Sequence, residues 1–187
     1  MMLGARTAAW VKSESKNAWV MTDGLSSYFN TGVNISNSIR VELDCVKFDH
    51  SGGYMLGGLS SAQFLISTGV QFQVGGGRTS FISVSNNERH IYEASHDDAL
   101  AIDGVNYQFA FQPTSSTGGA NIYVGCRNLR GTTDEFAKIK LFALNIFNGD
   151  ELVRSYKPVS VNGAGALYDS VSESVNLGVG SIEYGED

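Results

Sequence analysis

Two carboxylates spaced two residues apart are the side chains of this sequence that are best placed for acid–base chemistry. Glu42 and Asp44 lie in the stretch IRVELDC, where polar and apolar residues alternate. Residues i and i+2 of a β-strand share one face at roughly 7 Å, a workable separation for the acid and the nucleophile of a glycoside hydrolase. Charged residues on the solvent face of a strand give the same pattern, and this surface role is the one we predict.

Other groups that could do chemistry lack the spacing that the chemistry requires. None of the histidines forms a zinc-ligand pair: His50, His90 and His96. Turn capping is the favoured role of Asp49, Asp97 and Asp98. Asp97, Asp98 and Asp103 could offer oxygens to calcium, but no calcium-loop pattern surrounds them. The stretches GLSSA and GGGRTS lack the final glycine of a nucleophile elbow and the lysine of a phosphate loop. We therefore predict no catalytic residue, no metal and no cofactor.

Sugar binding would require aromatic rings for stacking beside amide or carboxylate groups on a sheet face or a loop rim. Five residues are candidates for such contacts: Tyr54, Tyr92, Tyr123, Asn86 and Asn87. Core packing or simple surface exposure also explains each of them separately. The sequence thus offers candidate sugar contacts without showing that they meet.

The elements that position these residues are predicted to be strands, because alternation of period two recurs from Tyr28 almost to the C-terminus. In IRVELDC the apolar residues face one side and the charged residues the other. FLISTGVQFQV predicts a hairpin turning at Thr68–Gly69, and Asp103–Gly104 predicts a type I′ turn between two apolar runs. Further strands are predicted near 79–85, 89–95 and 121–126.

The stretch 137–159 predicts two long strands around the tripeptide NGD, with a turn at Asn148–Gly149. Its apolar phase jumps from Ala143 to Leu144, which indicates a bulge or a segment buried on both faces. A helix over 135–146 is the alternative. The β-branched and aromatic content favours the strand.

Composition and length bound the fold class and the partners. The 187 residues include 22 glycines and only 17% charged residues, a balance typical of short strands joined by tight turns. We predict an all-β, two-sheet antiparallel β-sandwich over 23–187 with an acidic C-terminal tail, preceded by an arm over 1–22. Cys45 and Cys126 are predicted to be buried free thiols. A net charge of -6 with scattered basic residues disfavours nucleic acid and membrane surfaces as partners.

Trp10 and Trp19 are the large apolar rings of the predicted arm. A large ring on an otherwise polar terminal segment seeks a partner surface, so both are candidates for docking to another subunit. The alternative is that the arm folds back over its own sandwich, and the sequence leaves both open. The sequence has no apolar run typical of a signal peptide or a membrane helix, which predicts a chain made and kept in a cytoplasm.

Five phrases occur in one order along the chain: SSYFNTGVNISNSIRVELD, YMLGG, HIYEASHDDALAIDGV, KIKLFALNIFNGDELVRSYKPV and GALYDSVSESV. Together they resemble the concanavalin A-like lectin/glucanase jelly rolls, specifically the laminin-G-like modules of phage and gut-bacterial proteins. The resemblance implies a jelly-roll connectivity and a non-catalytic virion component, such as a capsid decoration, head fibre or tail-associated protein. Such a component assembles in the host cytoplasm, with other virion proteins or itself as partner and a host-surface glycan as ligand.

The resemblance also implies two alternatives. One is a bacterial cell-surface lectin-like protein. The other is a β-glucan hydrolase, because glucanases of this superfamily carry E-x-D followed by another glutamate. Here Cys45, Val46 and Lys47 stand where that further glutamate is expected. A hydrolase would have to recruit a more distant third carboxylate beside Glu42 and Asp44.

Overall fold

The computed structural model describes residues 10–11 by their backbone, and residues 17–48, 52–60, 62–114 and 118–187 in full. These residues form strands, turns and irregular segments, with strands β1 to β20 numbered in chain order. The predicted two-sheet antiparallel β-sandwich is confirmed. His50 lies outside the described residues. Within the described part of the chain there is no helix long and apolar enough to span a lipid bilayer.

The larger sheet follows the order β11-β10-β9-β4-β16-β17-β18-β19, with β2 beside β16, β20 beside β2 and β1 beside β17. Its described strands are β1 (Trp10–Val11), β2 (Ala18–Thr22), β4 (Ile39–Lys47), β9 (Arg89–Ser95), β10 (Ala99–Ile102), β11 (Val105–Tyr107), β16 (Ile139–Asn148), β17 (Glu151–Val161), β18 (Ala164–Asp169), β19 (Ser174–Asn176) and β20 (Ile182–Glu186).

The smaller sheet follows the order β12-β8-β7-β6-β5-β13-β3, with β14 beside β5 and β15 beside β14. Its described strands are β3 (Phe29–Ile35), β5 (Tyr54–Leu59), β6 (Gln63–Ser67), β7 (Phe72–Val74), β8 (Gly77–Thr79), β12 (Phe109–Phe111), β13 (Gly118–Val124), β14 (Arg127–Leu129) and β15 (Thr132–Asp134). The β5–β14 pair is parallel.

The core lies between the two sheets and is filled by the inward residues of both. In β4 the apolar residues are buried and the charged residues that alternate with them are half-buried, as the pattern of IRVELDC predicts. Phe64 and Phe72 of the smaller sheet meet edge to face with ring centroids 4.9 Å apart. The core therefore depends on alternation in both sheets and fixes which side chains point outward.

Several local predictions are confirmed. The hairpin at Thr68–Gly69 joins β6 to β7, and β9 spans the predicted 89–95. At the β10–β11 turn, both Asp103 and Gly104 have positive φ, 51° and 80°, as a type I′ turn requires. Cys45 and Cys126 are buried free thiols, and burial raises the pKa of Cys126 to about 12.

The strand predicted near 79–85 is wrong beyond Thr79, where β8 ends. The following segment is not paired in a sheet, yet Ile82 and Val84 pack against the core. We call residues 80–88 the crossing segment, because they run from β8 of the smaller sheet to β9 of the larger one. The apolar alternation of this segment therefore reflects the burial of every second residue. It does not reflect hydrogen bonding to a neighbouring strand.

The long hairpin of β16 and β17 confirms the strand prediction, and the helix alternative over 135–146 is wrong. The register of β16 against β4 shifts between Leu141 and Ala143, so the predicted bulge is present. The turn lies one residue later than predicted, because Asn148 pairs with Glu151 and leaves Gly149–Asp150 as the central residues. Gly149 has φ of 61°, which fits the first central position of a type II′ turn.

Candidate functional site

A groove of about 400 Å³ lies on the outer face of the larger sheet, near its β11 edge. Two alanines, Ala94 and Ala101, are among its lining residues. We define the polar groove by its polar lining: Arg40, Glu93, Ser95, Asp97, Asp98, Asn106 and Gln108. The lining combines amide, carboxylate, hydroxyl and guanidinium groups.

The order of strands β4, β9, β10 and β11 brings these side chains together. Glu93 pairs with Ala101, and Ala101 pairs with Asn106, so one row of the sheet runs from a carboxylate to an amide across a small residue. Arg40 pairs with Ser95 in the adjacent row. A small residue between two larger polar ones leaves a depression between them.

The β9–β10 turn forms one wall of the polar groove. The backbone N–H of Asp98 donates to Oγ of Ser95 at 2.9 Å, which fixes the turn. Nδ1 of His96 lies 2.9 Å from Oδ1 of Asp97, and its Nε2 lies 3.3 Å from the carbonyl oxygen of Thr114. Asp97 and Asp98 therefore lie in a turn that the Ser95 hydroxyl caps, and a capping role for the two carboxylates stays a prediction. Asp49, for which the same role is predicted, lies outside the described residues.

Asp103 lies at the next turn. Its carboxylate accepts the Ile91 N–H at 2.9 Å, and its Oδ2 lies 2.6 Å from Nδ1 of His90. The hydrogen bond with His90 holds the pKa of Asp103 below its usual value. No group of three or more metal-ligating side chains occurs in the described segments.

Glu42 and Asp44 lie beside the polar groove, and each carboxylate is bound by neighbouring side chains. Oε1 of Glu42 forms an ion pair with Arg40, and its Oε2 accepts the Asn145 side-chain N–H at 3.1 Å. Asp44 accepts two hydrogen bonds from the Arg89 guanidinium, at 2.7 and 2.6 Å. Both carboxylates are therefore engaged by side chains of the same sheet.

The register reveals a carboxylate pair that sequence reasoning missed. Glu42 lies directly opposite Glu93 in the β4–β9 ladder. Opposite residues of an antiparallel pair have Cβ atoms about 4.5–5.5 Å apart, so the two carboxylates are neighbours on the outer face. The sequence separates them by 51 positions, and only the strand order brings them together.

Cations cover the rings on this outer face. The guanidinium of Arg40 lies 3.8 Å from the ring centroid of Phe147, and that of Arg89 lies 3.8 Å from the ring centroid of Phe142. Nζ of Lys140 lies 4.3 Å from the Trp19 ring. Each of these rings therefore has a cation of the same sheet on one face.

The predicted sugar-contact tyrosines lie in three places. Tyr92 is 0% exposed in the core, so its ring cannot stack on a ligand. Tyr123 stacks on Tyr28 with ring centroids 5.0 Å apart and the planes 11° from parallel. Tyr54 is half-buried, with the Arg127 guanidinium 5.4 Å from its ring centroid. None of the three tyrosines lines the polar groove.

The two predicted sugar-contact asparagines bind the end of β4. Oδ1 of Asn86 accepts a hydrogen bond from Nζ of Lys47. The N–H of Asn87 donates to the Lys47 carbonyl at 2.9 Å, and its φ of 62° places it in a left-handed turn. The structure therefore brings both asparagines together with Lys47.

The predicted arm contributes strands to the larger sheet. The backbone of Trp10 pairs with Val161, while its side chain lies outside the described residues. Trp19 lies in β2, and its Nε1 donates to Oδ1 of Asp187 at 3.1 Å. The ring of Trp19 thus contacts Lys140 and Asp187 of its own sandwich. Docking of either tryptophan to another subunit stays a prediction.

Sequence reasoning missed Arg40, Asn106 and Gln108 as groove residues. The available signal was their position at polar sites of alternating stretches, which predicts an outward side chain. Comparison with protein families gives no match, and comparison with curated proteins gives no match.

Proposed function

We propose that the chain is a non-catalytic module of a phage particle that attaches to a host-surface glycan through the polar groove. The groove itself carries this proposal. Sugars present dense arrays of hydroxyl groups that both donate and accept hydrogen bonds, and the groove offers both kinds of partner. Asn106 and Gln108 provide amides, Glu93 provides acceptors and Arg40 provides donors.

Rigid support favours a binding role for the groove. Glu93 and Asn106 lie on paired strands, and Asp98 lies in a turn fixed by Ser95. A ligand that meets preorganised polar groups costs less ordering of side chains on binding. A rigid sandwich with such a groove on one face suits repeated attachment to a cell surface.

The state of Glu42 and Asp44 favours binding over hydrolysis. Glycoside hydrolysis requires one carboxyl group that donates a proton and a second that acts as base or nucleophile. The ion pairs with Arg40 and Arg89 engage both carboxylates with side chains of the same sheet.

The assignment to a virion rests on the resemblance of the ordered sequence phrases to phage laminin-G-like modules. The buried free thiols support it, because a sandwich that folds without disulfides suits assembly in a reducing cytoplasm. Other virion proteins, or further copies of the chain, are the partners that this proposal requires.

A glycan array followed by calorimetry tests the binding role. We expect a carbohydrate ligand whose affinity falls at least tenfold in a variant that combines Asn106→Ala and Gln108→Ala. Asn34→Ala is the matched control, because Asn34 is an exposed amide on β3 of the smaller sheet. Absence of any ligand, or equal loss in the control, contradicts a glycan site in the groove.

The Glu42–Glu93 pair favours a β-glucan hydrolase as the second candidate function. Glycoside hydrolysis uses two neighbouring carboxyl groups, and Glu42 and Glu93 are neighbours on the outer face. Release of reducing sugars from a panel of polysaccharides distinguishes the two functions. Release by the wild type that is lost in both Glu42→Gln and Glu93→Gln would establish the hydrolase, whereas no release supports the non-catalytic module.

A further inference from the structure

A lysine is fully buried at the end of β4. Lys47 is 0% exposed and continues the inward phase of Leu43 and Cys45. Lysine is almost never fully buried without a partner, since its ammonium group loses hydration. A buried lysine at this position therefore requires a specific partner for its amine.

The partner is a carboxamide on the segment that crosses between the sheets. Nζ of Lys47 donates to Oδ1 of Asn86, and the Asn87 N–H bonds the Lys47 carbonyl at 2.9 Å. The backbone contact holds the crossing segment against the end of β4. The amine and the carboxamide are thus kept together by the fold.

The surroundings favour a reactive amine. Burial lowers the pKa of Lys47, which raises the fraction of neutral amine, and only the neutral amine has a free electron pair. Asn86 is half-buried, so a small molecule released from its side chain has a route to solvent.

We propose that Lys47 and Asn86 join in an intramolecular amide cross-link. The electron pair of Nζ attacks Cγ of Asn86, and a C–N bond forms. The bond between Cγ and Nδ2 then breaks, the leaving nitrogen takes a proton from Nζ, and ammonia departs. Atoms and charge balance, and no oxidant or reductant takes part.

The cross-link would close a covalent loop around β5 to β8, four strands of the smaller sheet. A covalent closure restricts the unfolded chain more than the folded one, as a disulfide does. Unlike a disulfide, an amide persists in a reducing cytoplasm. The cross-link would stabilise the fold and would not involve the polar groove.

Mass spectrometry of the denatured full-length protein tests the cross-link. We expect an intact mass lower than the sequence mass by one ammonia, and a branched peptide joining the segments around Lys47 and Asn86 after proteolysis. Peptide mapping is needed, because Asn148–Gly149 can also lose ammonia by cyclising onto its own backbone. Unbranched peptides carrying unmodified Lys47 and Asn86 would overturn the proposal.

Variants provide the controls. Lys47→Met removes the amine with little change in volume, and Lys157→Met removes an exposed lysine of β17. The branched peptide should vanish in the first variant and persist in the second. If the peptide that contains Asn86 still lacks one ammonia in Lys47→Met, the loss does not depend on the lysine and the proposal is overturned. If Lys47→Met fails to fold, the peptide map of the wild type decides alone.

Discussion

Glu42 lies directly opposite Glu93 across β4 and β9, and Arg40 binds Glu42 from its own strand. Like charges opposite each other on a sheet repel, so this pair costs folding free energy. A ligand that donates hydrogen bonds to both carboxylates would offset this repulsion, which would explain why a binding surface carries the pair.

Glu93→Gln should therefore raise the free energy of unfolding by about 0.2–1 kcal/mol, because it removes the repulsion and keeps the side-chain shape. Urea denaturation at neutral pH measures the change. Glu183→Gln is the matched control, since Glu183 lies opposite the uncharged Met21. A loss of stability in Glu93→Gln that exceeds any change in the control would contradict the repulsion.

The Asp44–Arg89 pair should stabilise the sheet. Two parallel hydrogen bonds between a guanidinium and a carboxylate form the strongest geometry for an ion pair. Solvent screens the two charges, however, and reduces the stabilisation that the pair provides. We expect a coupling free energy of about 0.5–1 kcal/mol between Asp44→Asn and Arg89→Gln, and a smaller value at high salt. A double-mutant cycle by urea denaturation measures it. A coupling near zero at low salt would show that the pair contributes nothing.

Asp23 should make the protein sensitive to acid. Burial raises the pKa of Asp23, but its Oδ1 accepts the N–H groups of Leu25, Ser26 and Ser27, and these bonds outweigh burial and lower the pKa well below its ordinary value. The stabilisation is therefore complete above the unfolded pKa of about 4 and is lost as the pH falls towards the folded pKa.

Asp23→Asn keeps an acceptor oxygen and removes this titration. Between pH 7 and about pH 3, the variant should lose less stability than the wild type. Thermal unfolding at both pH values measures the loss, and Asp150→Asn in the exposed β16–β17 turn serves as control. Equal losses in the wild type and Asp23→Asn would rule out the capping role.

Gly178 should tolerate no side chain. It has φ of 68°, and an added Cβ would lie 2.4 Å from Cδ1 of Ile182 and 2.8 Å from Cε1 of Phe29. Gly178→Ala should destabilise by about 2–3 kcal/mol from backbone strain and overpacking. Gly131 has φ of 92°, but no atom lies within 4 Å of a Cβ added there. Gly131→Ala should therefore destabilise the protein by only about 1 kcal/mol, from backbone strain alone. Equal effects in chemical denaturation would contradict the packing explanation.

Alternation in the sequence predicted β4, β9 and the bulge of β16, because burial of one strand face leaves a local period of two. The same signal failed after Thr79, since Ile82 and Val84 reach the core from an unpaired crossing segment. The one-residue error at Gly149 arose because Asn-Gly fits two turn registers.

The polar groove was beyond local reasoning. Alternation predicts that Arg40 and Asn106 point outward, but their meeting depends on the strand order β11-β10-β9-β4. Likewise, Lys47 and Asn86 are 39 residues apart and meet only when the crossing segment closes the end of the sandwich. Long-range strand order is set by the whole fold and leaves no short motif.

Mass spectrometry of purified phage particles from cells that make this chain tests the proposed function most directly. We predict that its peptides co-purify with the particles at a constant ratio to the other virion proteins. Peptides found in the bacterial envelope and absent from the particles would contradict the virion role and favour a cell-surface lectin.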